Sequence, residues 1–317
     1  LAVQKHPWSR YVAIGDSFTE GLGDPEPSVP GGNRGWADRV AEVLSRGADD
    51  FAYANLAVRG KLIQQIMDDQ IEPALELRPD LITISAGGND VIRPGSDPDA
   101  ISAKFETVIQ RLQRDGATIV IFTGVDVGFA PVFRGIRGKV AIYNENLRAI
   151  AKRYDLVVVD QWAATNLQDS RFWSVDRLHM NPLGHHTVAR LVLEALAVDN
   201  DLEPLKPEPL PAASWRHARA EDLAWAREYF VPWVIRRIRH QSSGDYVSAK
   251  RPLAEKYSRL DAEMEIDEEV QAATRAEAAD SERSTNALDG NDGALVDAQQ
   301  TIEKAADVPV EEVTRLD

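Results

Sequence analysis

Five short apolar runs punctuate the first half of the chain: Tyr11-Val12-Ala13-Ile14, Phe51 to Leu56, Leu81-Ile82-Thr83-Ile84, Thr118-Ile119-Val120-Ile121-Phe122 and Leu156-Val157-Val158-Val159. Each is near-continuous rather than alternating, as strands buried on both faces of a parallel sheet read. Between them the apolar positions repeat with a helical period. Trp36, Val40, Val43 and Leu44 share one face; Ile101, Phe105, Val108, Ile109 and Leu112 a second; Tyr143, Leu147 and Ile150 a third. Strands beginning roughly 30–40 residues apart leave room for a helical crossover between each pair. After the fifth run, Asn181 reads as an N-cap and Pro182 as the first turn of a last helix, whose apolar face is Val188, Leu191, Val192, Ala195 and Leu196. The pattern predicts an α/β fold over residues 8–198, a three-layer α/β/α sandwich around a parallel five-stranded sheet.

Beyond residue 198 the pattern changes. Prolines at 204, 207, 209 and 211 mark residues 199–214 as a semi-rigid linker. Residues 215–252 read as a helical extension packed on the domain, with Trp225, Tyr229, Trp233 and Ile235 among its apolar positions, Pro232 interrupting it and Arg236, Arg237, Arg239 and His240 at its end. From 253 to 317 the chain is acidic and poor in aromatics, the composition of a disordered tail. The formal net charge of −15 sits there: residues 261–317 carry 17 Asp and Glu against 4 Lys and Arg, leaving a net of −2 for the rest. A near-neutral body argues against a nucleic-acid face supplied by bulk charge. The chain has no cysteine, so thiol catalysis, disulfides and Cys-ligated metal are out. No apolar stretch approaches the ~20 residues of a membrane span. The expected location is cytoplasmic; because the sequence opens at Leu1, secretion stays open as an alternative.

Candidate chemistry gathers where the strands end. Gly15-Asp16-Ser17-Phe18 directly follows the first apolar run. A serine at the carboxyl end of a strand in an open parallel sheet stands at the edge where ligands bind. Serine is a weak nucleophile without a base, and the chain has six histidines. His6 lies in the N-terminal arm, His185 and His186 within the last helix, His217 and His240 in the extension. His179 precedes the last helix, three residues after Asp176, so that within one turn the carboxylate can orient the imidazole toward Ser17. Gly60, after the second run, can offer a backbone N–H, and Asn89, in Gly87-Gly88-Asn89-Asp90 after the third, a side-chain amide, both toward a developing oxyanion. Asp16 and Asp90 are read as structural carboxylates accepting backbone N–H groups. Arg59 and Arg93 neighbour the site; solvated cations are expected, with contact to an anionic or polyhydroxy substrate as the alternative.

No one of these motifs is specific, but their order is. The set resembles the SGNH hydrolases, also called GDSL esterases and lipases: Gly15-Asp16-Ser17 at the nucleophile block, then Gly60, then Asn89, then Asp176-x-x-His179. The resemblance covers roughly residues 9–198, with Phe18 where the eponymous motif has Leu. It implies a flavodoxin-like fold with strand order 2-1-3-4-5, no metal or other cofactor, and ester hydrolysis through an acyl-serine intermediate. Ser17, Asp176 and His179 would form the triad, and the N–H of Ser17, that of Gly60 and the amide of Asn89 the oxyanion hole.

Two other classes compete. A nucleotide-binding protein is disfavoured because neither phosphate-binding glycine motif occurs; Gly21-Leu22-Gly23 runs into Asp24-Pro25, which presents acid to a phosphate. A non-catalytic carbohydrate- or partner-binding module of the same fold is the other. Partners are expected to be a small-molecule ester, with the extension available for a protein or membrane-surface contact. Val91–Pro98 and Val125–Gly138 are short, so no lid is expected and short acyl esters are favoured, such as acetyl groups on sugars or small alcohols. A lysophospholipase, thioesterase or acyltransferase using the same site is the alternative.

Overall fold

The computed structural model describes residues 5–113, 116–209, 225, 227–228, 244 and 246–257. By compactness the chain divides into Leu1–Glu265 and Ile266–Asp317, and every described residue lies in the first unit.

The five apolar runs become β1 (Arg10–Gly15), β2 (Ala52–Asn55), β3 (Leu81–Ser85), β4 (Thr118–Phe122) and β5 (Val157–Val159). Successive side chains of a strand alternate between its faces, so each strand feeds two cores. Tyr11, Ala13, Tyr53, Leu81 and Val120 bury on one side with Trp36, Val40 and Leu44 of α2 (Gly35–Ser45) and Val188 and Val192 of α8 (Pro182–Ala195). Val12, Ile14, Ile82, Ile84 and Ile119 bury on the other. That side is covered by α3 (Ile63–Asp69), α4 (Ile71–Glu76), α6 (Pro98–Leu112) and α7 (Arg137–Tyr154). Ile82 and Ile84 are fully buried; each contributes about 1.5–3 kcal/mol of burial. Asn181 caps α8 as expected, its side chain accepting from Gly184 N, with Pro182 in the first turn.

The strand order is β5-β4-β3-β1-β2-β6. Strands β1 to β5 pair in parallel in the expected order. The chain winds outward in both directions from the β1–β3 pair, which makes the carboxyl ends of those two strands the switch point where a crevice opens. Ser17 and Asn89 follow these two strands, on α1 (Ser17–Glu20) and α5 (Gly88–Val91).

The sheet has six strands, not five. β6 (Arg251–Lys256) pairs antiparallel to β2, with a register shift between Tyr53 and Asn55. The boundary expected at residue 252 therefore runs through a strand. Arg-Pro-Leu-Ala-Glu-Lys has no apolar alternation, and Pro252 is tolerated because the strand lies at the sheet's edge. Its anchor is polar. The Lys250 side chain is 2% exposed and Asp38 fully buried; Nζ donates to Asp38 Oδ2 at 2.9 Å and to the carbonyls of Asn33 and Arg34. Asp38 Oδ1 accepts from Tyr53 OH, which accepts from Asn55. Of the expected helical extension, nearly all of 215–243 lies outside the described residues, as do the tail beyond 257 and His217 and His240. No helix among the described residues is long and apolar enough to cross a membrane.

Candidate active site

The end of β1 is built for close approach. A Cβ on Gly15, whose φ is +150°, would stand 2.5 Å from the Ser85 carbonyl of β3. Glycine lets the two strand ends converge there. Asp16 then caps α1 by accepting from Phe18 N, which places Ser17 at the first helical position. Phe18 fills the space behind, its ring 5.4 Å from Trp36 and 5.5 Å from Phe122.

The opposite wall is a small two-stranded turn, with Trp173 bridged to Met180 and Ser174 N donating to His179 O. Arg177 takes a left-handed φ of +55° at its tip. This turn folds the Asp176 carboxylate back on its own loop: Oδ1 accepts from Ser174 Oγ at 2.6 Å and from the backbone N–H groups of Leu178 and His179. Oδ2 accepts from His179 Nδ1 at 2.6 Å, and His179 Nε2 lies 3.1 Å from Ser17 Oγ. With Nδ1–H committed to the carboxylate, Nε2 is the acceptor for the serine hydroxyl, a tautomer assigned from the hydrogen bonds. Burial alone would push the Asp176 carboxyl up; the bond and charge of His179, with the Ser174 and Leu178 donors, outweigh it and hold it well below the usual carboxylate range.

Asn89 Nδ2 donates to Asp16 Oδ2 at 3.0 Å and to Lys61 O at 3.1 Å. The amide expected to be offered to an oxyanion is thus engaged with Asp16 and Lys61. Gly60 has φ +75°. Its neighbour Arg59, expected to be solvated, is instead gripped by Glu20 of α1: Arg59 N donates to Oε2 at 2.6 Å and Nε to Oε1 at 2.8 Å, with Glu20 only 4% exposed. Glu20 therefore ties the helix of Ser17 to the loop of Gly60, and no motif announced it. Asp16 and Asp90 accept backbone N–H groups, from Phe18 and Ile63 respectively. Burial raises the Asp90 carboxyl pKa.

A cavity of about 260 Å³ opens against this constellation. Ser17, Asn89 and His179 line it; Asp176, Gly60 and Arg93 do not. The far wall is apolar: Val91 and Ile92 after β3, then Val125, Val127, Phe129, Phe133 and Ile136 after β4, with Trp173 beside the His179 turn. The segment after β4 folds into two short 3-10 turns, Val127–Phe129 and Arg134–Ile136, that project these side chains inward. Among the described residues no group of three or more His, Asp or Glu side chains could hold a metal ion.

The other described histidines are structural. His185 is fully buried, its Nδ1 accepting from Trp36 N and its Nε2 donating to Leu22 O, and burial lowers its pKa to about 4. His6 contacts Leu44 O and His186 contacts Glu203 O.

A serine, an imidazole and a carboxylate are thus joined in one hydrogen-bonded chain at the switch point of a doubly wound α/β sheet. The model of the GDSL-like lipase/acylhydrolase family matches residues 13–187, more than half of the chain. The protein belongs to that family. No curated protein matches the sequence. Among solved structures, LAE5, an alpha/beta hydrolase enzyme from the metagenome of Lake Arreo, Spain, is 18% identical with a TM-score of 0.53, covering 63% of this chain and 99% of its own. A catalytic mutant of Axe2, an acetylxylan esterase from Geobacillus stearothermophilus, is 18% identical with a TM-score of 0.51, covering 62% and 97%. TesA is 17% identical with a TM-score of 0.50, covering 59% and 97%. At these identities the likeness is one of fold.

Proposed function

We propose that the protein is a serine esterase that cleaves carboxylic esters through an acyl-serine at Ser17. The 3.1 Å contact between Ser17 Oγ and His179 Nε2, backed by Asp176, supports this reading most directly. His179 takes the hydroxyl proton as Ser17 attacks the ester carbon. Asp176 keeps Nδ1 protonated and stabilises the imidazolium. The tetrahedral oxygen is met by the N–H groups of Ser17 and Gly60 and by the Asn89 amide, which exchanges one of its present partners for the oxyanion. His179 then protonates the leaving alcohol, and water repeats the sequence to release the acid. Each donor of this kind is worth roughly 3–4 kcal/mol of barrier where it has been removed.

The cavity favours a medium acyl chain, as a lysophospholipase or thioesterase would take, over the acetyl esters expected from the brevity of Val91–Pro98 and Val125–Gly138. The second segment, although short, lines the space beside Ser17 with aromatic and branched side chains. An acetyl group leaves them wet, whereas a medium acyl chain, on an oxygen or thioester, gains about 0.8 kcal/mol for each methylene it buries.

Two measurements test the reading. A fluorophosphonate probe should label the wild type and not Ser17→Ala; a folded wild type that stays unlabelled overturns the enzyme. Across p-nitrophenyl acetate, butyrate, hexanoate and octanoate, kcat/KM should rise from acetate to the longer esters, and a maximum at acetate restores the short-acyl reading.

A further inference from the structure

We infer that the C-terminal extension, which lies beyond the family-matched residues 13–187, supports the reacting groups through Trp225 and Gly244, acting as positioning residues for the triad carboxylate and the oxyanion amide. The inference rests on the esterase reading above.

The first contact is at Asp176. Trp225, 7% exposed, donates its indole Nε1–H to the Asp176 carbonyl at 3.0 Å. The same ring lies under the guanidinium of Arg177, 5.0 Å from its centroid. Arg177 is the residue at φ +55° at the tip of the Asp176–His179 turn, and it also lines the cavity. Among the described residues, the Asp176 side chain bonds within its own loop and to His179. Trp225 thus holds the backbone of that loop from outside it, at the carbonyl of the acid and the side chain of the next residue.

The second contact is at the other side of the site. A Cβ on Gly244 would stand 2.1 Å from the Arg59 carbonyl oxygen and 3.0 Å from Val58 Cγ1. The Arg59 carbonyl and the Gly60 N–H belong to one planar peptide unit. Whatever presses on that carbonyl rotates the N–H proposed to meet the oxyanion. Glu20 fixes the preceding Arg59 N–H and guanidinium; at Gly244 the peptide that follows has room only because no Cβ is there. A few residues later Lys250 and β6 fasten the chain to the sheet edge beside β2, the strand that leads into the Gly60 loop.

Misplacing catalytic groups by about 1 Å can cost on the order of 100-fold in rate while leaving ground-state binding intact. The test compares Trp225→Phe, which keeps an aromatic ring but deletes the N–H, and Gly244→Ala, which adds the clashing methyl, with Tyr246→Ser, whose parent side chain is fully exposed. Each is made in the full-length chain. Turnover of a p-nitrophenyl ester, the rate of fluorophosphonate inactivation and the melting temperature are measured for all. The expected result is a fall in kcat and in inactivation rate of about ten- to a hundredfold for the first two, with KM within about twofold, and wild-type behaviour for Tyr246→Ser. Wild-type kcat and inactivation rate in both Trp225→Phe and Gly244→Ala overturn the inference, whether or not their melting temperatures fall. A wild type that neither turns over ester nor takes the probe overturns the esterase reading first, and this inference with it.

Discussion

Ser17 Oγ and His179 Nε2 lie 3.1 Å apart although 162 positions separate them in the chain. One sits at the first position of a capped helix after β1, the other on a turn that precedes α8, and α8 packs against α2, which in turn packs against α1. The histidine is in turn held by Asp176 at 2.6 Å.

Asp176→Asn should leave the loop's backbone bonds in place yet remove the acceptor that commits Nδ1–H. The expected loss in kcat is on the order of 10³–10⁴-fold, smaller than that of Ser17→Ala, which removes the nucleophile itself. Steady-state kinetics on a soluble ester check it, and a loss under tenfold would assign the orienting role elsewhere.

Glu20→Gln removes the carboxylate that grips Arg59 without changing the side chain's size. The Gly60 loop loosens relative to Ser17, so kcat should fall about tenfold or more with little change in KM. An unchanged kcat would detach Glu20 from the proposed oxyanion site.

Lys250→Met leaves Asp38 charged and buried without its cation. Urea unfolding should show a loss of about 3–5 kcal/mol, whereas Lys250→Met combined with Asp38→Leu, which removes both charges, should recover part of it. A double variant no more stable than the single one argues against an electrostatic origin.

Acid should destabilise the fold in two windows. His185 has a folded pKa of about 4 against 6.5 unfolded, so the unfolded chain binds its proton first and stability falls with pH from about 6.5 down to about 4. A shift of this size corresponds to about 3 kcal/mol. Asp176 and Asp24, held below the ordinary carboxylate value, withdraw stability only below about pH 4. Melting temperatures between pH 7 and 4 for the wild type and His185→Asn check the first window; if their slopes match, His185 does not carry it.

Removing residues 261–317 is expected to leave ester turnover unchanged, because β6 and every residue of the proposed site precede them. Kinetics on the shortened chain compared with the full one decide the point, and a large loss would give the acidic segment a part in turnover.

Much of this architecture was legible in linear order. Buried parallel strands announce themselves because both of their faces are apolar, and the Asn181-Pro182 cap and the positions of Ser17 and His179 beyond strand ends follow from local chemistry that neighbours in sequence supply. Four features were settled only by tertiary structure. β6 is held by Lys250 buried against Asp38, residues 212 positions apart, and an edge strand fastened by a charge pair carries no hydrophobic signal. Glu20 reads as an ordinary helix acid until the fold brings Arg59 to it. Val125–Gly138 reads as a short lidless loop, yet folding turns its aromatic side chains into a cavity wall. Trp225 and Gly244 meet Asp176 and Arg59 from beyond the family-matched segment. Periodicity reports which side chains leave water; it is silent about which partner a buried polar or aromatic group meets, since that depends on distances between segments that only the closed sheet determines.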